Sequence, residues 1–403
     1  MFRPFILLVA VVLGIVGAAC EPVLPRPVTP PTASPVPVTP IVVGAIFDVK
    51  NDAGPDGRQR LEAAMLAVDL VNRRGGVALP SGERRPLQLV VFDAAGQPDL
   101  AEPAFRRLVA DGALAILGPT DAESAALLRP MAESAAVPTI VLHESASRES
   151  SAWRWTFALA ASPEEALAAT IDFFTASGVD RLAWLAPRTM EASGLRRELV
   201  RLSGAANMQV VSEEIYPPGE EEHTRRLARL QAAEPRVILA WPRDSHEGAA
   251  VARDAAKVPN LVPVFLGSAA ANAATLSLTG DAAAVVRTVT LRLPVADDLW
   301  DHDPLTPAIR DFRREMQART GRMPTSEAAG AWDAVRLIVA TLERTGSPPG
   351  LPTRAALRDG LEATTDYVGA SGLIAFNSRR HAGLDRRALV VARSEGRRWR
   401  LPP

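Results

Sequence analysis

Three adjacent residues, His143, Glu144 and Ser145, carry the side chains of a hydrolytic triad. Neighbours along a chain do not easily converge on one reacting atom, because such triads are assembled from separate elements. No G-x-S-x-G elbow, G-x-x-x-x-G-K-S/T loop or G-x-G-x-x-G turn occurs in the sequence. The five histidines, His143, His223, His246, His302 and His381, are dispersed, with no H-E-x-x-H pair, which argues against a metal centre. Nothing in the residue types calls for a cofactor. The chemistry on offer is non-covalent binding rather than catalysis.

The polar groups best placed for binding lie between Gly112 and Ser147. Ala113 to Leu117 is a short apolar run ending at Gly118-Pro119. Thr120 and Asp121 then cap a helix whose apolar positions include Ala125, Leu128, Met131 and Ala132. Val137-Pro138 breaks that pattern, and Thr139 to Leu142 forms a second apolar strand opening into the polar loop His143–Ser147. Buried strand, capped helix and buried strand make a crossover unit of a parallel sheet. Ligands of such sheets sit beyond the carboxyl ends of the strands, where helix N-termini expose free N–H groups. Two such ends fall at 118–122 and 143–147.

The surrounding elements repeat the theme. Ile41 to Phe47 reads as a buried strand and Gly57 to Arg74 as a helix with Leu61, Met65, Val68 and Val71 along one face. Pro86 to Phe92 is the next strand, and Asp99 to Asp111 the next helix. After an extended link at Trp153–Leu159 the alternation restarts, with strands at Arg181–Leu185, Met208–Ser212, Arg236–Trp241 and Val262–Leu266. Val286–Leu293 and Gly372–Phe376 read as second and third links, around helices at Pro304–Thr320, Thr325–Thr345 and Thr353–Ala363. Leu389–Arg393 with Trp399–Leu401 reads as a closing hairpin. The expectation is α/β, in two similar halves with a hinge.

The chain of 403 residues is long enough for two lobes plus extras, and its formal net charge of −1 gives no reason to propose a nucleic-acid partner. The N-terminus is more specific. Arg3 precedes an apolar stretch, Phe5–Val16, too short to persist as a membrane helix, and Gly17-Ala18-Ala19 leads into the sole cysteine, Cys20. This resembles a bacterial lipobox, with Gly17 where Leu is usual, and implies lipidation of Cys20; an ordinary cleaved signal peptide is the alternative. Glu21 to Pro40 is proline-dense and reads as a semi-rigid tether of about 60 Å at ~3.1 Å per residue. The expected location is outside the cytoplasm, held at a membrane by the N-terminal lipid.

From Ile41 to Leu401 the chain resembles the type I periplasmic binding proteins, in their leucine/isoleucine/valine-binding branch. The segments VGAIFD…GRQRLEAAMLAVDLVN from Val43, LAILGPTDAESAALLRPMAESAAVPTI from Leu114, AAGAWDAVRLIVATLERTGS from Ala328 and TTDYVGASGLIAFN from Thr364 carry the likeness. The resemblance implies two Rossmann-like lobes with parallel sheets joined by three hinge crossovers. It also implies a small molecule, an amino acid or related solute, held between the lobes and delivered to an ABC permease. The division expected is 1–20 signal peptide, 21–40 tether, 41–156 with 294–366 as lobe 1, and 157–293 with 367–403 as lobe 2.

The family's first binding serine is matched here by Ala122, with Thr120, Asp121 and Ser124 beside it; its second contact pair falls near Ser145-Ala146, next to His143 and Glu144. The acid that pairs with a ligand ammonium on the second lobe is replaced by Ser268-Ala269, and the cleft tyrosines by Asp56, Met190–Ala192 and Trp241–Arg243. An amino acid needs a counter-charge for its ammonium and donors for its carboxylate. With Asp121 at the helix cap and Glu144 nearby, the expected ligand is neutral or cationic rather than a free carboxylate or a branched-chain amino acid. Thr120 and Asp121 also serve as plain caps, Trp241 as a core plug under the hinge, and Asp333 as an anchor for its helix. A ligand sensor or protein-binding envelope regulator on the same fold is the alternative to transport.

Overall fold

The computed structural model describes residues 38–49, 54–143, 153–280, 286–345 and 352–402, and of residues 54–56 the backbone alone. Contacts divide the chain into Met1–Val38 and Thr39–Pro403, and everything below concerns the second unit. Cys20 and residues 21–37 of the tether lie outside the described residues, as do Glu144, Ser145, Ala146 and the side chain of Asp56. No helix among the described residues is long and apolar enough to cross a membrane.

Apolar runs bounded by Gly, Pro and Asp become buried strands, and the capped periodic segments between them become helices. The first half runs β1 (Ile41–Phe47), α1 (Gly54–Arg73), a small hairpin of β2 (Val77–Ala78) and β3 (Arg84–Arg85), then β4 (Leu87–Asp93), α2 (Pro98–Ala110), β5 (Ala115–Leu117), α3 (Ala122–Ala135), β6 (Thr139–Val141) and β7 (Thr156–Ala158). Its sheet is wholly parallel, in the order β4-β1-β5-β6-β7. The segment read as a first link thus contributes β7, an edge strand.

The second half runs α4 (Pro163–Ala176), β8 (Arg181–Pro187), α5 (Met190–Ala205), β9 (Gln209–Tyr216), α6 (Thr224–Ala232), β10 (Val237–Ala240), α7 (Ser245–Ala255), β11 (Val264–Leu266), α8 (Ala273–Thr279) and β12 (Val286–Leu291). Then come α9 (Thr306–Thr320), α10 (Ser326–Thr345), α11 (Arg354–Glu362), a hairpin of β13 (Tyr367–Val368) and β14 (Leu373–Ile374), and finally β15 (Leu389–Glu395) and β16 (Arg398–Arg400). The second sheet has the order β16-β15-β12-β11-β10-β8-β9. Strands β8 to β12 are parallel, and the closing hairpin adds antiparallel to β12. The fold is therefore α/β with a parallel sheet in each half.

In both sheets the first strand of the half lies inside the order: β1 between β4 and β5, β8 between β9 and β10. Chain direction reverses across the sheet at those places, and the crossovers depart to opposite faces. Each sheet therefore has a switch point at its strand tips, the position where an α/β sheet opens a crevice.

The anticipated apolar face of α1 differs from the observed one. Met65 is 43% exposed, whereas Ala63, Ala64, Leu66, Ala67 and Val68 are buried. The reason is the neighbour: α1 lies along α10, whose buried positions include Ala328, Ala329 and Ala331. Small side chains on both helices let the backbones approach closely, so alanines bury where larger residues would hold the pair apart. Gln59 Oε1 accepts from Thr325 N at 3.0 Å and fixes the α10 start against α1.

Later in α10, Asp333 is 1% exposed. It accepts from Ala370 N at 3.0 Å, Ser371 N at 2.6 Å and Ser371 Oγ at 2.5 Å, and so holds the β13–β14 turn. The sequence reading has this residue fixing its helix against the sheet; what it holds is the separate β13–β14 hairpin. Further on, Ala158 N donates to His381 O and Gly383 N to Ala158 O, each at 2.8 Å. Arg386 meanwhile reaches Asp172 of α4 at 2.8 Å, so one segment touches the first sheet's edge strand and a helix of the second half. At the other end of α3, Glu133 accepts from the backbone N of Arg154, Trp155 and Thr156 at 2.9, 2.9 and 3.1 Å, gripping the approach to β7.

Candidate functional site

At the first switch point the tips of β4, β1 and β5 are laced together by carboxylates. Asp93 Oδ1 accepts from Val49 N at 2.9 Å and Ala95 N at 3.0 Å. Asp48, only 6% exposed, accepts from Gly96 N at 2.7 Å and from the Thr120 hydroxyl at 2.5 Å. Two glycines make the close approach feasible. A Cβ on Gly57 would stand 1.7 Å from the Asp48 carbonyl oxygen, and one on Gly118 (φ +88°) would stand 2.1 Å from Ile46 O. The start of α1 and the turn after β5 therefore both press against the end of β1.

Asp121 caps α3, Oδ1 accepting from Ser124 N at 2.8 Å, as its sequence position requires. Ser124 is wholly buried, while Ala122 is exposed on the first turn. Leu142 N donates to Pro119 O at 3.1 Å, which sets the end of β6 beside the cap and brings His143 into the cluster. Burial pushes the His143 imidazole below its ordinary value; Arg60 pushes it the same way, and Asp121 and Asp48 pull against it. Arg60 lies three residues beyond Gly57, on the same face of α1.

The structure thus brings Thr120, Asp121 and His143 together, with Ser124 beneath the cap, and adds Asp48 and Arg60, which sequence reasoning missed. Asp48 was marked by its place directly after the first buried strand. Arg60 carried no local signal beyond its offset from a conformationally demanding glycine. No group of three or more His, Cys, Asp or Glu among the described residues could hold a metal ion.

The second switch point is built otherwise. Trp241, directly after β10, is 4% exposed and stacks on Trp184 of β8 with ring centroids 6.1 Å apart. It also covers Gly267, where a Cβ would stand 2.6 Å from the indole. Trp241 is therefore core packing between strands, because its ring fills the space that the missing Gly267 side chain leaves. Ser268, one residue on, is half-buried, and its Oγ is buried without a partner among the described residues. Met190, after β8, is 92% exposed.

Behind β10, Glu247 is 2% exposed yet saturated. It accepts from Tyr216 Oη, Gly219 N, Arg243 N and Arg243 Nε at 3.2, 2.8, 3.0 and 2.7 Å. Burial works to raise its pKa, but the backbone N–H groups of Arg243 and Gly219 and the Arg243 guanidinium hold it below its ordinary value. His223 nearby is wholly buried, and burial depresses its pKa.

Two α/β halves, each with a parallel sheet and a switch point at its strand tips, have the architecture of solute-binding proteins. Residues 40–397 match the family model described as periplasmic binding protein, and the chain belongs to that family. It is a family of extracytoplasmic solute-binding proteins, not of enzymes. No curated protein matches the chain significantly. Among solved structures, an ABC transporter substrate-binding protein from Sphaerobacter thermophilus is similar at 21% identity, TM-score 0.73, over 89% of this chain and 94% of that one. The branched-chain amino acid transporter substrate-binding protein LivJ from Streptococcus pneumoniae, in complex with isoleucine, aligns at 16% identity and TM-score 0.70, covering 90% and 98% of the two chains. The leucine-binding protein LivK from Thermotoga maritima gives 16% identity and TM-score 0.69 over 90% and 98%. At these identities the likeness is one of fold.

Proposed function

We propose that this protein captures a small solute in a cleft between the tips of its two parallel sheets and passes it to an ABC permease, while a lipid on Cys20 holds it at the membrane. Residues 41–156 with 294–366 form one lobe and 157–293 with 367–403 the other, and the extended segments between them act as the hinge. The observation that carries this reading is the polar cluster at the first switch point. Asp48, Arg60, Thr120, Asp121 and His143 come from β1, α1, β5 and β6, and converge where a parallel sheet opens its crevice. Ala122, Ser124 and the loop Glu144–Ala146 would complete that wall, with Asp56 from α1 and Ser268 from the facing sheet.

A thermal-shift screen of the purified protein against amino acids, amides, polyamines, nucleosides and sugars tests the capture. A cleft binder gains stability by RT ln(1 + [L]/Kd), about 2.7 kcal/mol at a hundredfold excess over Kd. A concentration-dependent rise in melting temperature for one chemical class is expected; flat curves throughout would sink the reading. For the anchor, Cys20→Ala should move the protein from the detergent phase to the aqueous phase on partitioning.

A further inference from the structure

The segment between β14 and β15 carries the chain from the hairpin held by α10 to the second sheet, and one histidine ties it to the first. His381 is 8% exposed. Its ring lies on Phe157 of β7, with centroids 4.2 Å apart and planes 12° from parallel, and Phe376 meets the same phenyl ring edge-on at 5.1 Å. Nδ1 faces the Thr156 carbonyl oxygen at 3.1 Å, and Nε2 faces Glu362 Oε2, at the end of α11, at 3.3 Å.

Those two contacts fix the chemistry of the ring. A backbone carbonyl only accepts, and so does a carboxylate, here one already paired with Arg358. A neutral imidazole has a single N–H. It can serve one of the two oxygens and must turn a lone pair on the other; the imidazolium serves both. The ring is too covered for water to make good the loss, and a cation stacked on Phe157 is favoured by the negative face of that ring. Around the imidazole, β7 sets Thr156 and Phe157, α11 sets Glu362 with Arg358 on its carboxylate, and the segment itself sets Phe376. Arg380, next in the chain, is engaged with Leu384 O at 3.0 Å and with Glu165 and Asp385 at 3.5 Å.

The same segment is tied to the second half by fixed charges. Arg386 pairs with Asp172 at 2.8 Å, and its backbone N donates to Glu165 Oε2 at 3.2 Å, both acids lying on α4. The segment is thus a strap between the halves, permanently fastened at one end and held at the other by a grip that needs two ring protons.

We propose that His381 is a proton-operated latch: as imidazolium it clasps the strap to β7 and α11 together, and as neutral imidazole it lets go of one of them. Resting on the capture reading above, the latch governs how freely the two halves move about the strap. The clasp itself is tested without any solute.

Hydrogen exchange on the full chain reads the latch at two amides, Ala158 N, which donates to His381 O, and Gly383 N, which donates to Ala158 O. Rates are corrected for the intrinsic effect of pH and set against core amides of β10, which report global opening. Raising the pH from about 5.5 to about 8.5, across the ordinary imidazole range, should cost these two amides about tenfold in protection or more. His381→Gln should abolish that pH response. Glu362→Gln separates a proton latch from plain packing: its carboxamide can donate to Nε2 while Nδ1–H keeps Thr156 O, so protection should stay high at both pH values. Melting temperatures of both variants are read first; should His381→Gln fail to fold, the parent and Glu362→Gln decide.

Equal protection of both amides at the two pH values in the parent, or a pH response that survives in either variant, would overturn the latch and leave solute capture standing. Capture fails separately, if no solute in the wider screen shifts the melting curve, and the exchange profile then still decides the latch.

Discussion

The two switch points occupy equivalent places in sheets of like strand order, yet one is wet chemistry and the other is a plug. Between β1 and β5 the tips are joined through carboxylates and a hydroxyl, and buried atoms of Arg60, Asp93, Asp121 and Ser124 lack a partner among the described residues. Between β8 and β10 the gap is filled by Trp241 on Trp184, and the buried acid behind it, Glu247, already has four donors. A saturated network is a structural device, whereas an incomplete one at a strand tip is where the proposed capture would place the solute. Under the proposed capture, the difference assigns solute recognition mainly to the first half, with Ser268 the polar contribution of the second.

That contrast can be broken by substitution. The largest effect is expected for Asp48→Ala, which leaves the Gly96 N–H and the Thr120 hydroxyl without acceptors. It should lower stability by about 2–4 kcal/mol in chemical denaturation and abolish solute binding. A variant of unaltered midpoint would mean that the tips of β1, β4 and β5 are held by something else. Gly267→Ala comes next. Its methyl would collide with the Trp241 indole, costing about 1–3 kcal/mol as overpacking, with the loss read in melting. If Gly267→Ala instead damaged solute affinity more than Asp48→Ala, selectivity would belong to the second half.

The smallest effect separates the halves by pH. His143 and His223 both have folded pKa values depressed below the ordinary 6.5. The unfolded chain takes up those protons first, so their contribution is fully present above about pH 6.5 and is lost as pH falls from there toward the depressed values. Each single His→Gln variant should flatten that limb of the stability profile. His223→Gln should flatten it regardless of ligand, and His143→Gln should also change the pH dependence of solute binding. Profiles that superimpose on the parent would remove both histidines from the account.

Much of this architecture was legible beforehand. Apolar runs such as Ile41–Phe47 and Arg181–Leu185, punctuated by Gly, Pro and capping residues, gave the alternation and hence the parallel sheets. The Asp121 cap was readable because capping is local, the partner lying three residues away. Asp48 and Arg60 were not, because their significance depends on contacts made across the fold: Thr120 is 72 residues from Asp48. The buried face of α1 misled for the same reason, since the alanines of α10 decide which side is covered. Trp241 could be read as a cleft wall or a plug until the absent side chain at Gly267 showed where its ring goes.

Helix α3 begins at the cap beside the crevice and, near its far end, clasps three successive amides on the approach to β7 through Glu133. The two grips lie roughly 18 Å apart, at 1.5 Å per residue. Under the proposed capture, a tilt of this helix by a solute at the cap would be felt at the approach to β7 without passing through the sheet.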